Sequence, residues 1–296
     1  MFKVASVFII VVIMSATTWA QEAFPEPVVY HGTEKMEEWG FDDSEIKDLE
    51  WHRWTTENFT ILALDEDQGL YMARNIEKIK SWVMKRWGFP NVNFSAECRV
   101  ICVPTKALMK KLFRIEGSRA EVRKDSNKIT MSAVWLLLDD APLEAIPQYL
   151  TVPCLSEFGQ RYGLKLKTWL HRGVSGLNNP VALIRSRLTI LQNRELFFSK
   201  TMFAMDDEGY MKLGKDEKQL FDAQSLALCL LIRKEFGQDV FHEFMKDPDG
   251  ELRRIGFNGY SQFDASYLRY IKDLNVDILN SKTPDSYLEV KAKGEK

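Results

Sequence analysis

The sequence predicts an α+β fold, in which a small mixed β-sheet with a long packed helix is followed by a mostly helical part. The chain has 296 residues, 45% of them hydrophobic, which is enough to build a sizeable core. Segments with the period of β-strands lie between residues 51 and 140, whereas residues 141–280 show mainly helical periodicity. Strands followed by helices are typical of an α+β protein with a sheet subdomain and a helical subdomain.

Residues 1–20 have the features of a secretory signal peptide. Lys3 supplies a positive charge, residues 4–14 are an apolar run, and Ala20 ends the small-residue stretch that a signal peptidase reads. As a helix this run would be about 16 Å long, roughly half the hydrocarbon core of a bilayer. We therefore expect cleavage before Gln21, a secreted or periplasmic protein, and no stable membrane span after cleavage.

The segment after the signal is expected to be an arm, and the first strand and the first long helix follow it. Residues 21–50 contain many acids and little periodicity, which predicts a linker or N-terminal arm. Residues 54–64 alternate and are rich in β-forming side chains, which predicts a strand. Residues 69–87 carry apolar side chains at helical spacing and end at Gly88 and Pro90, which predicts a long helix.

Two further strands and a short helix complete the predicted sheet subdomain. Residues 99–103 read as a strand that ends before Pro104, residues 106–113 as a short helix, and residues 128–134 as another strand. The predicted order is therefore β, α, β, α, β.

The second half of the chain is predicted to be helical. Helical periodicity is present over residues 143–162, 168–178, 182–193, 222–237, 240–245 and 260–274. Residues 206–216 are polar and interrupted by glycines, which predicts a loop. Residues 281–296 are expected to form a polar tail.

The four cysteines are expected to be buried thiols. Cys98 and Cys102 lie on one face of a predicted strand, about 13 Å apart, which is too far for a disulfide between them. Cys154 and Cys229 lie in apolar helical segments, where a free cysteine behaves as a small hydrophobic residue. A long-range bridge such as Cys102–Cys154 stays open at this point.

Composition excludes one class of partner and gives no sign of a structural metal. Lys and Arg number 40 against 42 Asp and Glu, a formal net charge of -2, so no overall positive field attracts nucleic acid. The cysteines and histidines lack the paired spacing of a structural zinc site. We expect no nucleic-acid partner, no metal and no cofactor.

Five segments follow one another in a recognisable order between residues 51 and 250. They are FTILALDEDQGLYMARNIEKIKSWVMKRWGF, CRVICVPTKALMKKLF, KITMSAV, WLHRGVSGL and FDAQSLALCLLIRKEFGQDVFHEFM. This succession resembles the secreted gluzincin-like metallopeptidases of the peptidase MA-like type. The resemblance implies a zincin-like fold, in which the strand at residues 128–134 is the edge strand over a substrate cleft.

The residues that bind zinc in that family are absent from this chain. The family uses HExxH, whose histidines bind zinc and whose glutamate activates a water, and a third ligand, a glutamate, in WLxEGxA. Here Cys154 and Phe158 stand at the histidine positions and Leu155 stands at the position of the general base. Arg172, in WLHRGVS, stands at the position of the third ligand. The resemblance therefore implies the fold and a degenerate, zinc-free site.

Two functions follow as expectations. The first is a catalytically inactive pseudo-peptidase whose cleft binds a peptide or protein, with Trp135, Glu157, Trp169 and His171 as possible cleft residues. The alternative is an active hydrolase or peptidase with a site rebuilt around Cys154, Glu157 and His171. In it, either Cys154 is the nucleophile with His171 as its base, or Glu157 and His171 form a weak two-ligand metal site.

Two local hypotheses concern charged groups near this site. Arg172 is expected either to form a salt bridge with Glu157 in place of the metal or to lie exposed to solvent. The segment from His242 to Lys246 superficially resembles HExxH, but Lys246 would repel a cation. We expect His242 to lie on an exposed helix face.

Overall fold

The structure is a computed structural model that describes residues 30–31, 51–91, 93–126, 128–138, 146–179 and 181–274. The described strands are β1 (Tyr30–His31), β2 (His52–Thr55), β3 (Phe59–Ala63), β4 (Cys98–Val103), β5 (Arg119–Asp125) and β6 (Lys128–Leu137). The described helices are α1 (Glu66–Arg86), α2 (Lys106–Phe113), α3 (Ile146–Arg161), α4 (Thr168–Leu177), α5 (Val181–Thr189), α6 (Ser199–Ala204), α7 (Asp207–Lys212), α8 (Lys215–Lys246), α9 (Pro248–Arg254) and α10 (Tyr260–Asp273). A single turn of 3-10 helix, Ile190–Asn193, follows α5. The predicted α+β class is confirmed.

The strands form one mixed sheet in the order β1-β2-β3-β4-β6-β5. The central pairs β3–β4 and β4–β6 are parallel, whereas β1–β2, β2–β3 and β5–β6 are antiparallel. The expectation that residues 128–134 form the edge strand is wrong, because β6 lies between β4 and β5. The edge strand is β5, which was not predicted because only Ala120 and Val122 interrupt its charged residues.

The strand predicted over residues 54–64 is a hairpin of β2 and β3 instead. A polar turn separates the two strands, and its residue Asn58 is buried. The Asn58 amide donates to Glu77 Oε2 over 2.9 Å, and its carbonyl oxygen accepts from the Phe94 backbone N–H over 2.7 Å. These side-chain bonds stabilise a chain reversal that alternation alone does not reveal.

The two faces of the sheet are covered differently. Helices α1 and α3 pack on one face, in a core that includes Ile76 of α1, Val100 of β4 and Leu150 of α3. The short helix α2 covers the other face, where Met109 packs among Ile101 and other strand residues. The helix α2 has the predicted bounds, and it is capped by the Thr105 side chain, which accepts a bond from the backbone of the first turn.

The helical part is built around the long helix α8, which contacts α4, α5, α9 and α10. Helices were predicted over residues 222–237 and 240–245, and the structure joins them in α8 with one interruption at Gly237, whose φ is 86°. A glycine is suited to this left-handed backbone because it has no Cβ. The core of this part also contains Val83 and Trp87 from the end of α1, so α1 packs in both cores.

Three short helices were not predicted: α6, α7 and α9. The helix α7 lies inside the loop predicted over residues 206–216, where Asp206 accepts a bond from the Gly209 N–H and caps the helix. These helices are six or seven residues long, which is too short to show an apolar repeat.

Much of the predicted N- and C-terminal organisation lies outside the described residues. These segments include the signal peptide at residues 1–20, most of the arm at residues 21–50, and the tail at residues 281–296. Within the arm, Tyr30–His31 pairs with β2 as an antiparallel strand. Among the described residues, no helix combines the length and the apolarity that a membrane crossing requires.

The prediction for the cysteines is confirmed. All four are buried and free, and Cys98 and Cys102 lie on the same face of β4 in the core under α1. The open possibility of a Cys102–Cys154 bridge is therefore excluded in this structure.

Candidate functional site

Helix α3 carries three of the four positions that hold zinc or activate water in the resembling family. It contacts α1, β5, β6 and α4, so it lies where the sheet meets the helical part. Cys154, Leu155 and Phe158 are all buried. The side chains at these positions are therefore part of the protein core and do not line an open metal cavity.

Cys154 lies in a buried group of ionisable side chains between α1, α3 and the start of β4. Its electrostatic partners include Lys80 of α1 and Glu157, and Cys98 interacts with both Cys154 and Glu157. Burial raises the pKa of the Cys154 thiol to about 12, against a smaller lowering by the Lys80 ammonium. Cys154 is therefore a neutral thiol near pH 7, and a poor nucleophile.

The Glu157 side chain is directed to the loop that precedes β4. Its Oε1 accepts a hydrogen bond from Ser95 Oγ over 3.0 Å, and Gln160 Nε2 donates to the same Ser95 oxygen over 2.7 Å. Gln160 also accepts from the Ile129 backbone N–H at the start of β6. These hydrogen bonds connect α3 to the sheet and give the buried Glu157 carboxylate a hydrogen-bond partner.

Phe158, at the position of the second histidine, belongs to an aromatic cluster. Its ring stacks on Phe89 at 4.1 Å between centroids and lies 4.8 Å from Tyr162 and 6.3 Å from His242. The expectation that His242 lies on an exposed helix face is wrong. His242 is half-buried and its Nε2 lies 2.5 Å from the Trp87 carbonyl oxygen, so the imidazole links α8 to the end of α1.

Arg172, at the position of the third ligand, pairs with α8 and not with α3. Its Nε lies 3.8 Å from Asp222 Oδ1, and its guanidinium lies 4.1 Å from the centre of the Tyr210 ring. The Tyr210 hydroxyl donates to Asp222 Oδ1 over 3.1 Å. The hypothesis of an Arg172–Glu157 salt bridge is wrong, because Glu157 bonds to Ser95 and Arg172 pairs with Asp222. The alternative, an Arg172 exposed to solvent, is confirmed, since its side chain is 43% exposed.

His171, the neighbour of Arg172, lies near the end of β5. Burial lowers the pKa of the imidazole to about 4; Asp207 raises it, and Lys124 of β5 and Arg172 lower it further. His171 is therefore neutral near pH 7. No hydrogen bond or electrostatic interaction joins His171 to Cys154 among the described residues, so the structure does not bring together the two main groups of the rebuilt site.

The two tryptophans suggested as cleft residues lie in hydrophobic cores. Trp135 packs under α2 on the opposite face of the sheet from α3, with Phe113 at 6.4 Å between ring centroids. Trp169 is buried in the helical core, with Phe203 at 4.9 Å. Neither ring is placed as a cleft wall, because each side chain points into a core.

Within the described ranges, no three His, Cys, Asp or Glu side chains lie close enough together to hold a metal ion. No protein-family model matches the chain, and no curated protein matches it significantly.

The structure adds several residues that the sequence reasoning missed. They lie on β5, α5, α7 and α8, and they are Lys124, Arg187, Asp207, Tyr210, Lys218 and Asp222. All of them surround the WLHRG segment at the start of α4. The one signal in the sequence was Arg172 in WLHRG, because a guanidinium that is partly buried requires an anion nearby.

A double-variant cycle tests the separation of Arg172 from Glu157. We expect Arg172→Met to cost under about 1 kcal/mol, because its side chain is 43% exposed and its ion pair is long. Glu157→Gln keeps an oxygen that can accept from Ser95, and its cost should add to that of Arg172→Met within about 0.5 kcal/mol. Denaturant unfolding of both single variants and the double variant measures this. A coupling energy above about 1.5 kcal/mol would show that the two side chains interact.

The lowered pKa of His171 predicts a loss of stability in acid. In the unfolded chain a histidine takes up a proton near pH 6.5, whereas His171 in the folded protein stays neutral until about pH 4. The free energy of unfolding should therefore fall as pH decreases from 6.5 to 4, by at most about 3 kcal/mol from this group. His171→Gln should lack this part of the pH dependence. Parallel stability curves for the two proteins between those pH values would contradict the assignment.

Proposed function

We propose that this chain is a zincin-like pseudo-peptidase, a protein of metallopeptidase fold that holds no catalytic zinc and binds an extended peptide along strand β5. The observation that carries the proposal is a contrast between two neighbouring parts of the site. The four degenerate positions are filled by side chains with partners inside the protein. Strand β5, which contacts α3, pairs with β6 alone among the described residues.

The unpaired edge of β5 is the surface that could receive a peptide. An edge strand presents backbone N–H and C=O groups that can pair with an added strand, and side-chain pockets then select the sequence. Ala120 packs against the core under α1 and α3, and Val122 lies opposite the buried Ser132 of β6. Both apolar side chains therefore lie on the face of the sheet that α1 and α3 cover.

The outer face of β5 is charged, which protects it from nonspecific pairing. Glu121 forms ion pairs with Arg119 at 3.3 Å and with Arg123 at 3.4 Å. Charged residues on an edge strand oppose aggregation with other sheets and leave the backbone available to a matching partner. We also propose that the protein is secreted or periplasmic, because residues 1–20 have the pattern of a signal peptide.

The alternative, a hydrolase rebuilt around Cys154, Glu157 and His171, has little support from the geometry. The Cys154 thiol is buried and its pKa is raised, and the carboxylate of Glu157 is bonded to Ser95. His171 lies beside Arg172 and interacts with Lys124 and Asp207. A nucleophile needs a base within hydrogen-bond reach, and these groups do not provide one.

Peptide binding is tested with carboxymethylated lactalbumin, an unfolded model protein that carries a fluorescent label. We expect its anisotropy to rise on addition of the full chain in EDTA, and we expect the amides of residues 119–125 to exchange more slowly in the complex. If the labelled protein binds in EDTA but slows hydrogen exchange only at amides of other strands, the assignment to β5 is contradicted.

Proline variants of β5 give a sharper test. N–H groups of successive residues in an edge strand point alternately to the sheet and to the outside, so one of Glu121→Pro and Val122→Pro removes an outward donor. Of these two variants, the one whose free energy of unfolding equals that of the wild type should bind the labelled protein at least about tenfold more weakly. Arg123→Lys, which keeps charge and backbone, serves as the control. Full binding by the stable proline variant would overturn strand addition.

A further inference from the structure

Three cations and one carboxylate surround Tyr210, on the surface formed by α4, α5, α7 and α8. We call Arg172, Arg187, Lys218, Tyr210 and Asp222 the Tyr210 cluster. The Arg172 guanidinium lies over the Tyr210 ring at 4.1 Å and the Lys218 ammonium lies 5.8 Å from it. Arg187 of α5 lies close to α4: its Nη1 would be 3.5 Å from a Cβ added to Gly176.

The positive charges of the cluster exceed its negative charge. Asp222 is the only acidic member, and it is shared by the Tyr210 hydroxyl and Arg172 Nε. Three further acids on α7 and α8 have other partners: Asp207 accepts from the Thr168 hydroxyl, Glu208 pairs with Lys212, and Glu217 accepts from the Gly214 N–H. The cluster thus holds three cations against one carboxylate, and an anion could bind the Nη groups of Arg172 while Nε stays with Asp222.

The Arg172 guanidinium has N–H groups that could bind such an anion. Only its Nε faces Asp222, and neither Nη group has a hydrogen-bond partner among the described residues. The buried Tyr210 ring lies against the guanidinium and holds it in place. A planar guanidinium with two free N–H groups at its end matches the two oxygens of a carboxylate.

One end of β5 lies within electrostatic range of the segment that carries Arg172. Lys124, near the C-terminal end of β5, interacts electrostatically with His171, and His171 is adjacent to Arg172 in the chain. A strand added to β5 would approach α4 at this end. The positive cluster is thus placed where a peptide on β5 could present an acidic group.

We infer that the Tyr210 cluster is a carboxylate-binding site, and that it selects peptides with an acidic side chain or a free C-terminus at the Lys124 end of β5. The carboxylate is the ligand group common to both sources. The selection of peptides rests on the proposed function, whereas the carboxylate site itself rests on the arrangement of Arg172, Tyr210 and Asp222.

The first experiment tests the carboxylate site without any peptide. Citrate, a tricarboxylate, should raise the melting temperature of the full chain more than sodium chloride of equal ionic strength, because it binds the folded state. Arg172→Met should lose this effect, and Arg172→Lys, which keeps the charge but not the planar fork, should retain part of it. Lys110→Met, on α2 at the other face of the sheet, should respond as the wild type does.

The second experiment tests the source of the carboxylate. Three labelled hexapeptides of one alternating Thr/Val sequence are compared by anisotropy: a neutral C-terminal amide, the same peptide with a free carboxylate, and an amide with one glutamate. We expect one of the acidic peptides to bind at least about tenfold more tightly than the neutral amide, and Arg172→Met to remove that advantage. The peptide that gains affinity identifies the source.

The outcomes separate this inference from the proposed function. Binding of all three peptides with equal affinity, together with no specific effect of citrate, would overturn the carboxylate site and leave peptide binding at β5 intact. A citrate effect that needs Arg172, together with no binding of any peptide, would overturn the assignment to a peptide ligand and contradict the proposed function. A citrate effect that survives in Arg172→Met would overturn the role of Arg172.

Discussion

Replacement of Gly173 by alanine is expected to destabilise the protein by about 3 kcal/mol or more, because it overpacks a close crossing of α4 and α8. A Cβ at this position would clash with Cys229 Sγ and with the backbone carbonyl of Ser225. Both residues are buried in α8, so neither can move aside without displacing that helix. Denaturant unfolding followed by circular dichroism measures the loss.

Gly176 on the same helix provides the matched control. A Cβ there would lie 3.0 Å from Leu226 Cδ1, the flexible end of a side chain, and 3.5 Å from Arg187 Nη1. Alanine also favours a helix over glycine by about 1 kcal/mol, so we expect Gly176→Ala to change stability by no more than that amount. Equal losses for the two variants would contradict the close contact of α4 and α8 at Gly173.

Replacement of Phe158 by alanine is expected to cost about 3–5 kcal/mol. The ring is 6% exposed and stacks on Phe89 at 4.1 Å, so its removal leaves a cavity between α3 and the end of α1. Tyr162, one turn later on the chain, is 49% exposed and offers the control. Tyr162→Ala should cost under about 1 kcal/mol. A small loss for Phe158→Ala would mean that Phe158 lines a solvent-filled cavity and is not part of the core.

These two variants concern the same physical point. In a catalytic zinc site the ligand side chains line an open position that admits water. Here the corresponding part of α3 faces a packed core, and the helix that follows it approaches α8 closely at a glycine. Such packing stabilises this part of the described structure without a metal.

The elements that could be predicted from the sequence are those whose buried apolar residues repeat regularly along the chain. The helix α1, the strand β4 and the helix α4 appear within a few residues of their predicted bounds, because their apolar residues repeat at the period of the element. The strand β5 was missed for the opposite reason. Its Arg119, Glu121 and Arg123 form ion pairs on an exposed face, and only its pairing with β6 fixes it as a strand.

The candidate site was predictable only in part. The interpretation that Cys154, Phe158 and Arg172 stand at the positions of zinc ligands depends on the resemblance alone. The partner of Arg172 is not visible, because Asp222 is distant in the chain and the side of α8 that meets α4 depends on the close crossing at Gly173. The rotation of α3, which directs Glu157 to Ser95, also depends on tertiary packing.

The most direct test of the account is the zinc content of the full chain, measured together with its proteolytic activity. The chain is incubated with excess zinc, dialysed against metal-free buffer, and assayed by mass spectrometry for metal and by gel for cleavage of carboxymethylated lactalbumin. We predict less than about 0.1 zinc per chain, because a catalytic site needs three protein ligands, and we predict no cleavage. One tightly held zinc per chain that is lost in His171→Ala, accompanied by cleavage, would contradict the account.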